Sequence, residues 1–226
     1  MCGRFTIAAP KEEIKGHLYR QFGIEDFDVD VFLPRYNIAP GERIIAVISD
    51  GRKYRAGLMR WGFIPSFSDG FQIINARRET LPEKPAFRNA FQNRRCLILA
   101  DGYYEWRKEG RIKIPYRITL KDQKFFSFAG IWNYANEAGH RVPTCAIVTG
   151  AAGPQMRFIH DRIPSILTPD AEKLWLASGL DQETLLALTA PLDDKAFLTY
   201  RVSPLVNNAR NDSADLILPM DKNNER

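Results

Sequence analysis

The stretch IIAVISDGRKYRAGLMRW, residues 44–61, decides the fold class. Ile44 to Ser49 is an apolar, β-branched run of strand length, Asp50-Gly51 is a turn signal, and Tyr54 to Trp61 returns as a second strand. So short a connection forces the two strands to be antiparallel. The same reading extends outward to strands at residues 2–9, Ile73-Ile74, Cys96 to Ala100, Tyr103 to Arg107, Ile112 to Leu120, Phe125 to Trp132, Val142 to Thr149 and Phe197 to Val202. Lys108-Glu109-Gly110 and Lys121-Asp122-Gln123 read as turns. Helices are few. Pro10 opens one whose apolar positions Ile14, Leu18 and Phe22 recur every fourth residue before Gly23, and Thr168-Pro169-Asp170 caps a second that Gly179 closes. A third covers about Gln182 to Ala190. The expectation is an α+β fold, a single domain over residues 2–220. A large, mainly antiparallel β-sheet or partial barrel is flanked by a few helices, and a polar tail follows at 221–226.

With 45% hydrophobic and 26% charged residues in a chain of 226, the composition is that of a globular protein with a sizeable core. No apolar run approaches the roughly 18 residues of a membrane span. The start, MCGRFT, is charged at once and unlike a secretory signal, so a cytoplasmic protein is expected. Three cysteines, Cys2, Cys96 and Cys145, have no CxxC spacing, which indicates neither a disulfide framework nor a metal site. No cofactor motif is present. The formal charge of +5 collects in short clusters such as Arg52-Lys53-Tyr54-Arg55 and Arg111-Ile112-Lys113. A polyanion gains from such clusters by counterion release, and the interleaved aromatics suit stacked bases of a single strand. A merely solvated basic surface accounts for the charge equally well.

Four places carry chemistry. Removal of Met1 leaves Cys2 with an α-amine and a thiol on adjacent carbons, a 1,2-aminothiol that condenses with an aldehyde to an imine and then closes to a thiazolidine. Their reference pKa values, about 8 and 8.5, leave a useful neutral-amine fraction near physiological pH. The same residue could attack an amide as a thiol nucleophile, or be a small buried cysteine. Next, in Gly102-Tyr103-Tyr104-Glu105-Trp106, strand alternation sets Tyr103 and Glu105 on one face and Tyr104 and Trp106 on the other. A desolvated Glu105 would exchange protons, whereas an exposed one would pair with Arg107 or Lys108. His160 lies in a loop among charged residues and a proline, a setting for catalysis or for a simple hydrogen bond to Asp161. Last, Asn75-Ala76-Arg77 follows an apolar strand, where the amide could orient a carbonyl and the guanidinium could grip a phosphate, or Asn75 could cap a helix.

Six ordered motifs, MCGRF, Tyr36-Asn37-Ile38-Ala39-Pro40, Met59-Arg60-Trp61-Gly62-Phe63-Ile64-Pro65, Asn75-Ala76-Arg77, Gly102-Tyr103-Tyr104-Glu105-Trp106 and His160-Asp161-Arg162-Ile163-Pro164, resemble the SRAP family of SOS-response-associated peptidases, or abasic-site-processing proteins. The resemblance runs from Cys2 to about Val206. It implies a DNA-damage protein that senses abasic sites in single-stranded DNA and links Cys2 to the ring-opened sugar as a shielding thiazolidine. A lyase side activity and autoproteolysis before Cys2 are also implied. Residue by residue, it implies Cys2 as nucleophile, Asn75 orienting amine and sugar, Glu105 shuttling protons, and His160 assisting the chemistry and its reversal. Arg4 and Arg77 would contact phosphates, Pro40, Trp61, Phe67 and Trp106 would wedge and stack the strand, and Thr149 would sit near the lesion. No metal or cofactor is implied, and a monomer is expected.

Three positions depart from the family pattern. Phe67 stands where a second Trp is usual, Ala152 replaces a frequent Asn, and Ile163 replaces the usual Met. These bear on DNA affinity and preference before they bear on the reaction. Two other readings compete: an N-terminal-nucleophile cysteine amidohydrolase, since class II glutamine amidotransferases also begin Met-Cys-Gly, and a noncatalytic single-stranded-DNA-binding protein in which Cys2 is incidental.

Overall fold

The computed structural model describes residues 2–27, 33–68 and 70–220, so the expected tail at 221–226 lies outside the described residues. The hairpin forms as read: β3 (Arg43–Ser49) and β4 (Tyr54–Trp61) pair antiparallel in unbroken register from Arg43↔Arg60 to Ser49↔Tyr54. Before them come β1 (Arg4–Ile7), α1 (Lys11–Phe22) and β2 (Arg35–Ile38), and after them β5 (Asn75–Arg77) and α2 (Pro85–Asn93). The middle of the chain is β6 (Arg95–Ala100), β7 (Gly102–Glu109), β8 (Ile112–Leu120), β9 (Phe126–Glu137) and β10 (His140–Ala151). Then follow β11 (Arg162–Pro164), β12 (Ile166–Leu167), α3 (Pro169–Leu176), α4 (Gln182–Leu188) and β13 (Phe197–Arg201).

The fold is α+β, and the barrel is closed. Strands β4, β3, β6 and β9 pair antiparallel in that order, β9 pairs antiparallel with β10, and β10 meets β4 in a short parallel contact at Thr144↔Arg60 and Cys145↔Trp61. Closure removes the sheet edges that a partial barrel would leave. Strand β6 is buried at every residue because α2 and α3 cover its outer side, so its sequence is a continuous apolar run after Arg95 instead of an alternating one. The buried Arg95 guanidinium donates to Phe91 O, Trp175 O and Ala177 O at 2.7 Å each, supplying partners for carbonyls at the C-terminal ends of α2 and α3.

A second sheet, in the order β13-β8-β7-β1-β2, packs on the barrel. Phe5 of β1 is the hinge between the two, its ring 5.2 Å from Trp61 and 5.8 Å from Phe128 in edge-to-face contact. Asp101 anchors β1 to β7. It accepts from Thr6 Oγ1 and from the Ala8 N–H at 2.5 Å each, with Arg117 Nη2 at 3.4 Å. Gly102 is required beside it, because a Cβ there would stand 2.7 Å from Arg117 Nη2.

Several elements differ from the sequence reading: β5 begins at Asn75, just past the expected Ile73-Ile74, and β11 and β12, of three and two residues, are too short to carry a period. Helix α2 was not expected. Its nine residues carry only Phe87, Ala90 and Phe91 inward, too short a pattern to separate from loop. Strand β2 overlaps Tyr36-Asn37-Ile38-Ala39-Pro40, a motif for which the sequence reading assigns no element. Helix α3 stops at Leu176, ahead of Gly179, while its N-cap is as expected: Thr168 Oγ1 accepts from the Ala171 N–H. Among the described residues no helix is long and apolar enough to cross a membrane.

Candidate active site

Strand β1 pairs with β7 only from Arg4↔Tyr104 to Thr6↔Gly102, so β7 from Glu105 onward has a free side where β1 ends. A cleft of about 370 Å³ lies there, lined by Glu105, Trp106, Lys108, Lys113, His160 and Asn207. The expected alternation holds along β7. Tyr103 belongs to the main core, whereas Tyr104 and Trp106 join a separate small cluster with Val202, Val206 and Leu216. Glu105, on the Tyr103 side, is 2% exposed. Burial raises its carboxyl from 4.5 to about 7, which poises it to give or take a proton near neutrality.

Cys2, just before β1, is fully buried, and its Sγ lies 3.8 Å from Arg4 O. Burial pushes its thiol far up, and the charge of Glu105 pushes it further, so the resting group is a thiol rather than a thiolate. Asn75 reaches Cys2 from β5, across the core: its Nδ2 donates to Cys2 O at 2.8 Å. The Asn75 Oδ1 is buried with no hydrogen-bond partner among the described residues, and so is the Tyr103 hydroxyl. Both are polar atoms that a bound group could satisfy.

His160 completes the cleft from the loop ahead of β11. Its Nδ1 accepts from the Arg162 N–H at 3.0 Å, which leaves Nε2 carrying the proton of the neutral ring. Asp161 Oδ1 is also 2.8 Å from that Nδ1 and would favour the imidazolium, but Asp161 is largely solvated and the pair is screened. Burial decides the balance and lowers the His160 value, with the charge of Lys108 acting in the same direction. The loop is fixed by Arg162, which forks onto Glu79 at 3.2 and 3.0 Å and reaches Thr149 O at 2.5 Å. Four residues distant in the chain, Cys2, Asn75, Glu105 and His160, are thus gathered at one site. Among the described residues no group of three or more His, Cys, Asp or Glu is arranged to hold a metal ion.

The expected strand-binding residues divide. Arg77 is exposed on β5, two residues from Asn75 and so on the same side of the strand; Pro40 is exposed, and Phe67 is 68% exposed. Trp106 is half-buried, its Nε1 donating to Asn207 Oδ1 at 2.6 Å. Trp61 is a correction. It is 0% exposed, its indole N–H donates to Ile74 O at 2.9 Å, and its ring packs on Phe5, so it belongs to the core and offers no face to a base. Thr149 is likewise fully buried on β10. Arg4 already spends much of its fork inside the protein: Nη1 donates to Asn37 Oδ1 and Val206 O at 2.8 Å each, and Nη2 to Asn207 O at 3.3 Å. It ties β2 and the segment after β13 to β1.

Several cleft residues escaped the sequence reading. Asn207 arrives from a 3₁₀ turn, Pro204–Asn207, more than a hundred residues after Glu105, and nothing local announces it. In the sequence Lys108 falls in a turn and is a possible partner of an exposed Glu105, and Lys113 falls in a basic cluster, so neither stands out as a cleft residue. The hairpin register that sets them opposite each other was the available signal.

Residues 1–209 match the profile of the SOS response associated peptidase (SRAP) family. The abasic site processing protein YoaM of Bacillus subtilis is 40% identical over 96% of this chain and 97% of its own length. The abasic site processing protein YedK of Escherichia coli is 31% identical over 97% of this chain and its full length. Among solved structures, that of a Bacteroides thetaiotaomicron protein superposes with a TM-score of 0.82 at 25% identity, covering 97% of this chain and all of the other. A profile match over nine-tenths of the sequence, with relatives aligned end to end, leaves one assignment: the chain belongs to the SRAP family.

Proposed function

We propose that this protein processes abasic sites in single-stranded DNA by linking Cys2 covalently to the lesion. The observation that carries the reading is that Asn75 bonds Cys2, a 1,2-aminothiol residue once Met1 is removed, while Glu105, raised to about 7, acts electrostatically on the same Cys2 and lines a cleft with His160. The names of the relatives, abasic site processing proteins, support it independently.

With Met1 removed, the Cys2 α-amine attacks the aldehyde carbon of the ring-opened sugar. The carbinolamine loses water to give an imine. The thiol sulfur then adds to the same carbon and its proton passes to nitrogen, so aldehyde and aminothiol give thiazolidine and one water. Glu105 is suited to open the sugar ring and to carry protons to the departing hydroxyl. Because burial keeps the thiol protonated, its proton must leave as the carbon–sulfur bond forms, and the ionised Glu105 is the neighbour able to take it and hand it on to the nitrogen. Asn75 holds the Cys2 carbonyl and leaves Oδ1 for the amine or sugar. His160, neutral by burial, offers Nε2–H toward the sugar. If the imine forms and the thiol does not close on it, β-elimination gives the lyase outcome. The lysines at the cleft mouth favour a phosphodiester over the small neutral amide of an amidohydrolase.

The test is incubation with single-stranded DNA carrying one abasic site, followed by denaturing electrophoresis. The mature protein gives a heat-stable adduct. Cys2→Ser still forms a borohydride-trappable imine and little stable adduct, whereas an uncleavable N-terminal tag abolishes both. A tagged protein that crosslinks as well as the mature form refutes the chemistry.

A further inference from the structure

Strands β7 and β8 bring Lys108 directly opposite Lys113, on one face of the hairpin. Directly opposed like charges destabilise an antiparallel pair. Among the described residues neither lysine forms an ion pair, and Glu109 of the same hairpin pairs instead with Arg107 at 3.1 Å. Both lysines are exposed and both line the cleft that holds Glu105 and His160. A fold that keeps an unfavourable cation pair at the mouth of its cleft has an arrangement suited to one shared anion.

The other face of β7 carries a second feature. Arg107, two residues beyond Glu105, sets its guanidinium carbon 3.7 Å from the ring centre of Phe158, which is 57% exposed and lies two residues before His160. A guanidinium stacked on a partly exposed aromatic ring presents two planar groups of the kind on which unpaired bases stack. The cation pair and the stack thus flank the cleft on the two faces of one strand.

We propose that Lys108 and Lys113 clasp one phosphodiester between them while the Phe158–Arg107 stack supports the base next to the lesion, so that the β7–β8 hairpin guides the single strand away from the cleft. This rests on the function proposed above and adds to it a contact surface and a direction of travel.

The experiment uses the full chain and a single strand carrying a tetrahydrofuran abasic analogue, which has no aldehyde and so reports noncovalent binding, titrated at several salt concentrations. The Lys108→Ala/Lys113→Ala variant should reduce the slope of log affinity against log salt by about 0.7, one phosphate on a single strand. Phe158→Ala should weaken binding roughly tenfold with the slope unchanged, as loss of base stacking does. Strands extended on only the 5′ or only the 3′ side of the lesion should show both deficits for one polarity alone. Without DNA, the double lysine variant should melt at or above the wild-type temperature, since it removes repulsion. An unchanged salt slope, or a lower melting temperature that makes the pair part of the fold, overturns the surface. The underlying reading fails differently: a wild type that binds the analogue but never crosslinks a true abasic site sinks the chemistry and leaves the surface standing, and one that binds no single strand at low salt refutes both.

Discussion

Two carboxyls in this protein are almost equally hidden and equally perturbed, and only one of them sits among reactive groups. Glu105 is 2% exposed and Glu172 3%, and burial raises each from 4.5 to about 7. Glu172 lies on α3, where Gln21 Nε2 of α1 donates to it at 2.9 Å and Ser127 also bonds it, beside a cleft of about 430 Å³ that is larger than the one at Glu105. Its histidine neighbour across that cleft, His17, is also lowered by burial. Neither cavity size nor a shifted pKa therefore distinguishes the two places. What distinguishes them is company. Glu105 perturbs the thiol of Cys2 and shares its cleft with His160, whereas Glu172 ties one helix to another. Desolvation makes a carboxyl capable of proton transfer, and a nucleophile within reach gives it something to do.

The largest expected difference is in rate. Glu105→Gln should slow adduct formation by about 10²-fold to 10⁴-fold, the range for loss of a general acid–base group, with the fold and DNA affinity retained. Glu172→Gln should leave the rate at the wild-type value. Single-turnover gels on an abasic strand decide the matter, and equal losses in the two variants would erase the contrast.

In stability the two sites should look alike. A carboxyl whose folded value is raised keeps a proton that the unfolded chain has already lost, so stability falls as pH rises from 4.5 through about 7, and the cost is absent below that window and complete above it. For a carboxyl moved from 4.5 to about 7 the loss is on the order of 3 kcal/mol. Denaturant titrations at pH 5 and pH 8 should show the wild type weaker at pH 8, and Glu172→Gln and Glu105→Gln should each flatten that dependence. Because His17 and His160, lowered by burial, act in the opposite direction, the comparison with the variants decides: Glu→Gln variants whose pH dependence matches that of the wild type would show that neither carboxyl is held protonated.

The smallest effect belongs to the second partner of Glu172. Gln21→Ala removes one hydrogen bond to that carboxyl and should cost about 1 kcal/mol. Because the bond favours the charged form, the loss should be greater at pH 8 than at pH 5, and crosslinking should not change. A Gln21→Ala variant slowed in crosslinking would couple the two regions through the core.

Much of this was legible in the chain. The 44–61 hairpin, the helix carrying Ile14, Leu18 and Phe22, and the Thr168 cap are local matters of alternation, period and side-chain oxygen, and they stand where the sequence puts them. The split of Tyr103 and Glu105 from Tyr104 and Trp106 follows from strand period alone. The ordered motifs carried the family, because residue identity at fixed positions survives without coordinates. The tertiary structure decided what no local rule contains. Closure of the barrel through a two-pair parallel contact of β10 with β4 depends on strands some eighty residues apart. That closure buries Trp61, which the motif suggested for the surface, because an aromatic side chain reads the same whether its strand faces solvent or Phe5. The site itself is of this second kind. Glu105 becomes a neutral-range acid, and Asn75 a holder of Cys2, only when β1 ends beside β7 and β5 crosses to meet it, since desolvation and distance are properties of the folded chain.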